Sequence, residues 1–388
     1  MRVLTRLEEV GASRRVAYLL LAVATAAPRL VALVVDRANI LMPYTLGEKS
    51  DDIARTFVDN GTFGFIPGLP TAYTQPLYSF FLIPLYALFE RSWIVVGSAQ
   101  ILVAIGLAVI VYEIGRRWLS PAVGVLGALL TTLHPYSIWH DVHVNREILD
   151  ALLAAAIMLL TLALTDRRSL ALAVTFGAVL GVAILGNVRL AALPLVLLAF
   201  LFVSWRVDRR ALALAAAVLA TCAAVIVPWV VRNHQAVGCF ALTTDSRSLW
   251  EANNARTLSV LRAGLWIDDL KLPRSFPPSA QDAGREYRRH GRIIRVDECR
   301  QMRFYRGEVL DFWRDQPGEK AKLAAQASLM LWSPQVTPKE VGSGSSSALN
   351  RLRGWIEPLY MLPLYALALL AIPRVPRRVA SLSIVLLG

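Results

Sequence analysis

The stretch GEKSDDIARTF, residues 47–57, sets three carboxylates, Glu48, Asp51 and Asp52, soon after a strongly apolar segment. A carboxylate held near a lipid surface can take the proton from an attacking hydroxyl, which is the work of a general base. Helix capping competes for two of the three. Ser50 fits an N-cap, and Asp51 and Asp52 then fall in the first turn, where negative charge meets the positive end of the helix dipole. Asn60-Gly61 reads as the stop, and Ile53 and Phe57 share an apolar face at i,i+4. Glu48, just ahead of the cap, is the acid that capping leaves unexplained.

A second reactive stretch is HPYSIWHDVHVNRE, residues 134–147, which ends in Glu147. Glu147 can orient an acceptor or a base. His140, Asp141, His143 and Glu147 together offer ligand types for a divalent metal, although no recognised ligand spacing is present. Otherwise the stretch is a polar interfacial loop, and no cofactor is expected. Two arginines stand out. Arg189 lies between two apolar segments, and an arginine at membrane depth is costly unless it is paired or functional. Arg232 ends another apolar run and can hold an anion or snorkel to headgroups. Trp250, Asn253 and Asn254, with Tyr73, Gln75 and Tyr78, are of the types that stack on C–H groups and hydrogen-bond hydroxyls. Trp250 equally suits the aromatic belt of a membrane interface. Tyr86 and Phe89 are expected to dip into lipid.

The elements that must carry these groups are membrane helices. Of 388 residues 56% are hydrophobic, above the roughly 45–50% of soluble domains. The apolar runs are long and do not alternate, which selects helices over a barrel. The net charge of +13 sits in arginine clusters that act as topology signals, so nucleic acid is not an expected partner and anionic headgroups are. Runs long enough to span are 16–35, 93–112, 119–138, 148–164, 169–186, 190–205, 211–231 and 355–372. A last run from Val379 reaches the chain end, so the final helix reads as incomplete and the chain as a possible fragment. The N-terminal run, followed by ATAAP, reads as an uncleaved helix rather than a signal peptide.

The run 76–90 is short for a span. Treating it as re-entrant or interfacial keeps Arg116-Arg117, Arg167-Arg168 and Arg209-Arg210 together inside. Residues 36–92 and 232–354 then form two large external loops. The basic stretch 285–306 and a surface segment 322–333 lie in the second, and VGSGSSSALN, residues 341–350, reads as a flexible linker. The domain reading is therefore 1–231 as the transmembrane catalytic module, 232–354 as the second extracytoplasmic loop and 355–388 as a C-terminal transmembrane segment. Cys239 and Cys299 share the second loop, where a disulfide is permitted; Cys222 is intramembrane packing.

The acid before an Ile-Ala helix, then NGTFGF (60–65) and PTAYTQPLY (70–78), resembles the first external loop of polytopic glycosyltransferases of the C-type superfamily. These include relatives of protein O-mannosyltransferases and of the lipid A aminoarabinose transferase. PWVVRNHQAVGCFALTTDSRSLWEANN (228–254), GNVRLAALP (186–194) and YRGEVLDFWRDQPGEKAKLAAQASLMLW (305–332) extend the likeness in order along the chain. The resemblance implies a helical bundle with two large extracytoplasmic loops carrying interfacial helices. It implies transfer of a sugar from a polyprenyl-phosphate carrier to an acceptor hydroxyl outside the plasma (inner) membrane, by one inverting displacement. A lipid phosphate leaves as a stable anion, so the site needs cations, for which Arg189 and Arg232 are the candidates, and a single base. That base is Glu48 first, with Asp51 and Asp52 as alternatives, because the acid spacing departs from several relatives. Two other readings remain: a transporter, for which no inverted repeat is visible, and an inactive assembly partner of the same fold.

Overall fold

The computed structural model describes residues 2–41, 48–205, 207–265, 267, 270–334 and 347–387. Among them regular structure is helical, apart from one isolated bridge between Ile66 and Leu69. The chain divides into two compact units, one of residues 1–61, 75–232 and 371–388, the other of 62–74 and 233–370.

The first unit holds α1 (Arg2–Ala12), α2 (Arg14–Val35), α3 (Glu48–Asn60), α4 (Leu77–Phe89), α5 (Trp93–Trp118), α6 (Pro121–Thr132), α7 (Pro135–His140), α8 (Glu147–Asp166), α9 (Leu170–Gly186), α10 (Leu193–Ser204) and most of α11 (Arg209–Val237). The second holds α12 (Arg247–Glu251), α13 (Thr257–Arg262), α14 (Ala280–His290), α15 (Glu298–Asp315), α16 (Pro317–Leu331) and most of α17 (Ser347–Ala371). The last helix, α18 (Arg377–Leu387), returns to the first unit. α2, α5, α8, α11 and the Gly354–Ala371 part of α17 are each long and apolar enough to cross a bilayer. The chain is an all-α polytopic membrane protein.

Two expected spans are broken. The run 119–138 stops at Leu133, leaving α6 with 12 residues. His134 caps the next helix by accepting from the Ser137 amide, and Pro135 at its first position cannot continue the previous one. The run 190–205 opens as a 3₁₀ turn, Val188–Ala192, before α10, which again starts with a proline. The ambiguous run 76–90 is the 13-residue α4, with Pro84 inside it. Of the linker 341–350, residues 341–346 lie outside the described residues and the rest opens α17.

α5 is the hub of the first unit and packs against α2, α6 and α8. Glycines set how close α6 comes: a Cβ on Gly124 would lie 2.6 Å from the Tyr112 carbonyl oxygen. Ala17, Leu21, Ala108, Tyr112, Val125 and Ala128 fill the space between α2, α5 and α6. The second unit closes on its own core of Trp250, Leu270, Tyr305 and Val309, with Phe276 and Phe304 packed against it. Cys239 and Cys299 are joined in a disulfide, S–S 2.05 Å. The Glu298 carboxylate accepts from Thr71, the Ala72 amide and Thr244, which fastens the 62–74 segment to the rest of that unit.

Candidate functional site

α3 begins at Glu48, so Ser50 stands inside its first turn and is not the cap. The stop is where the sequence places it, with Gly61 at φ +68° and its amide on the Phe57 carbonyl. The first turn of the helix is held by a long-range partner. Asp51 is buried and accepts from Arg91 through both oxygens, at 3.0 and 2.8 Å, and from the Tyr86 hydroxyl at 2.6 Å. Arg91 also donates to the Leu41 carbonyl at 2.7 Å, so one cation ties α3, α4 and the end of the preceding segment together. Tyr86 is therefore inside the protein and not in lipid. Burial, followed by the Asp51 charge, pushes its hydroxyl far above its ordinary range and keeps it a donor. Asp52, Ile53 and Ala54 are buried alongside, whereas Phe57 is exposed, so the buried face is the N-terminal half of α3. The Glu48 side chain lies outside the described residues.

The 134–147 stretch is organised by a buried ion pair. Arg29, in the middle of α2, donates to Asp141 at 3.0 and 2.7 Å, to the Thr132 carbonyl at 2.8 Å and to the Thr25 carbonyl at 3.1 Å. Gln100 of α5 donates to the carbonyls of Asp141 and His143, both at 2.7 Å, and accepts from Tyr78 at 2.5 Å. His143 turns to Asp36, 2.8 Å away, which also accepts from Trp139. Asn145 contacts His140 and Glu147. The four proposed metal ligands thus face different partners: Asp141 is taken by Arg29 and His143 by Asp36. Among the described residues no three His, Cys, Asp or Glu side chains group as a metal site. Arg29, Thr132, Tyr136, Ser137, His140, Asp141 and Glu147 instead line a cavity of about 240 Å³.

A third group surrounds the end of α9. Arg146 donates to Gln75 at 3.2 Å and stands 3.9 Å from Asp150. Asn187 donates to Asp150 at 3.5 Å. Arg189 is exposed on the 3₁₀ turn and adds to the positive field at Asp150. Two arginines, two amides and two carboxylates are thereby gathered around the ends of α4, α8 and α9, with Glu147 beginning α8. Arg232 is half-buried, its guanidinium 4.9 Å from the centre of the Trp229 ring. Arg146 escaped the sequence reading although it adjoins Glu147. So did Arg29, whose place inside an apolar run was the available signal. Arg91 and Gln100 gave no local signal.

The remaining expected residues belong to the second unit. Tyr73 is fully buried, and desolvation, then Asp245, raises its hydroxyl well above the ordinary value. Trp250 packs on Phe276 at 5.0 Å in the aromatic core. Asn253 accepts from Trp313 at 3.2 Å and Lys320 at 2.5 Å, and Asn254 donates to the Trp250 carbonyl and accepts from the Arg256 amide. These side chains are built into the interior of that unit, not spread over an open surface.

Residues 73–231 match the family model described as dolichyl-phosphate-mannose-protein mannosyltransferase. The matched stretch is less than half of the chain and is consistent with a membrane glycosyltransferase of the C-type superfamily. The likeness drawn from the sequence therefore stands, and the matched stretch carries Gln75, Arg146, Glu147, Arg189 and the cavity wall from Ala104 to Ala151. α3 with its acids precedes it, and Arg232, Trp250, Asn253 and Asn254 follow it. No curated protein and no solved structure matches the chain.

Proposed function

We propose that this transferase moves a sugar from a polyprenyl-phosphate carrier to a hydroxyl acceptor outside the plasma membrane, with inversion at the anomeric carbon. The acceptor oxygen attacks that carbon as its proton passes to a carboxylate; the bond to the phosphate oxygen breaks and the lipid phosphate leaves with the electron pair. A phosphate is a good leaving group, so the site's main task is to hold its charge. Two cations, Arg146, which donates to Gln75, and exposed Arg189, which adds to the field at Asp150, fit that task, and this grouping within the matched stretch is the observation that carries the proposal. Arg232, stacked on Trp229, is a second holder further along.

For the base we assign Glu48. What supports it is that both Asp51 oxygens are already engaged by Arg91 and Tyr86, which fits a scaffold role. Asp52 is buried and is the alternative. Glu147, which lines the 240 Å³ cavity, orients the acceptor or the base. Reconstitution with radiolabelled polyprenyl-phosphate sugars tests this and shows which label moves. Glu48→Gln should lower transfer by about 10²-fold or more, and Arg189→Ala should weaken donor use while leaving folding yield intact. Full transfer in Glu48→Gln, Asp51→Asn and Asp52→Asn alike would end the base assignment.

A further inference from the structure

Glu113 is an acid in a helix that otherwise reads as a membrane span. It stands five residues before Trp118, at one end of α5, and is buried. A carboxylate there is costly without partners, and it has four. Arg116 reaches it at 2.9 Å, Arg117 at 2.9 Å and Arg14 at 3.4 Å, while the Tyr18 hydroxyl donates at 2.9 Å. Three guanidinium groups around one carboxylate leave two positive charges in surplus. Nε is the atom of both Arg14 and Arg117 nearest to Glu113, and among the described residues their terminal nitrogens make no hydrogen bond. Both are largely exposed, at 56% and 43%.

The cluster is held in place, not loosely splayed. Tyr112 donates to the Gly11 carbonyl at 2.8 Å, and the Ala122 amide donates to Glu8 at 3.0 Å, which anchors α1 beside the start of α2. Tyr18 and Tyr112 meet edge to face, ring centres 5.8 Å apart. α2 begins and α5 ends here, so the arginines stand where two spans leave the hydrocarbon, at the depth of lipid phosphates. The positive-inside rule makes that boundary the cytoplasmic one, whose leaflet carries the anionic lipids.

We propose that Arg14, Arg116 and Arg117, pre-set by Glu113, bind the headgroup phosphate of an anionic phospholipid. The carboxylate turns one edge of each guanidinium inward and leaves the other as a fork of N–H donors suited to phosphate oxygens. This site lies apart from the candidate transfer site and needs no feature of it.

The test uses the whole chain, purified in detergent, with phosphatidylglycerol or phosphatidylcholine added and bound lipid counted by native mass spectrometry. The expected result is selective retention of phosphatidylglycerol. Arg14→Ala with Arg117→Ala should weaken it about thirtyfold, the loss expected for two arginines at a lipid surface. Arg15→Ala, on the same turn but outside the Glu113 cluster, should leave it unchanged. A photoreactive phosphatidylglycerol on the unmodified protein, which asks nothing of a variant's folding, should label peptides containing residues 14, 116 or 117. Equal retention of both lipids, an equal loss in Arg15→Ala, labelling elsewhere only, or full displacement by millimolar inorganic phosphate would each overturn the proposal.

Discussion

At the scale of single residues, the first unit depends on charges that the surrounding protein must neutralise. Arg29 and Asp141 are both inside, each under 10% exposed, and each is the other's counter-charge. Removing one partner strands the other. Arg29→Ala should cost about 3–5 kcal/mol of stability, whereas Arg29→Met combined with Asp141→Leu should cost much less; thermal melts in detergent decide between these outcomes. Asp282 in the second unit makes a pH-dependent contribution. Burial alone would raise its carboxyl, but Arg247, at 2.6 Å, and the Ser279 hydrogen bonds outweigh it and hold it below the ordinary range. The unfolded chain therefore takes up this proton first as pH falls. The stabilisation is complete above the ordinary carboxylate pKa and drains away as pH drops through the depressed one. Tryptophan fluorescence melts should show a steeper loss below about pH 4 for the native chain than for Asp282→Asn.

At the scale of helices, contact distance is set by what is missing from the side chain. Gly124 of α6 sits against α5 where a Cβ would lie 2.6 Å from a carbonyl oxygen and 2.8 Å from the Arg116 nitrogen, both backbone atoms that cannot swing aside. Gly106, also on α5, would meet only the Leu152 side chain at 3.5 Å. Gly124→Ala should destabilise by about 1–3 kcal/mol and Gly106→Ala by far less, as read from melting temperatures. Composition and run length made most of the spanning helices legible, because a bilayer demands long apolar segments. Where those helices stop was less legible. Pro135 is visible in the sequence, yet the apolar residues on both sides of it masked the break between α6 and α7. The start of α3 was misread because Ser50 and Asp51 satisfy a local capping rule, while the interaction that fixes them comes from Arg91, 40 residues on. The meeting of Gln75, Arg146, Asp150 and Asn187 follows from packing of α4, α8 and α9, which no single window of sequence contains.

At the scale of the whole chain, the second unit is assembled from segments far apart in sequence. Residues 62–74 join 233–370, and Glu298 and the Cys239–Cys299 bridge secure that assembly. The bridge closes a 60-residue separation, worth on the order of 4 kcal/mol in unfolded-state entropy. Reducing agent, or paired Cys239→Ser and Cys299→Ser changes, should therefore lower the melting temperature of this unit and open it to protease, with little effect on the membrane helices. The short helices of the first unit have a consequence of their own. α6 and α10 have 12 residues each, so each is about 18 Å long, well short of a hydrocarbon layer of roughly 30 Å. Their outward side chains are nonetheless apolar: Val123 and Leu126 on one, Leu195 and Val203 on the other. A bilayer bordering those short faces is expected to thin locally to match them. A lipid entering such a thinned zone would carry its headgroup below the level of its neighbours before any side chain touches it.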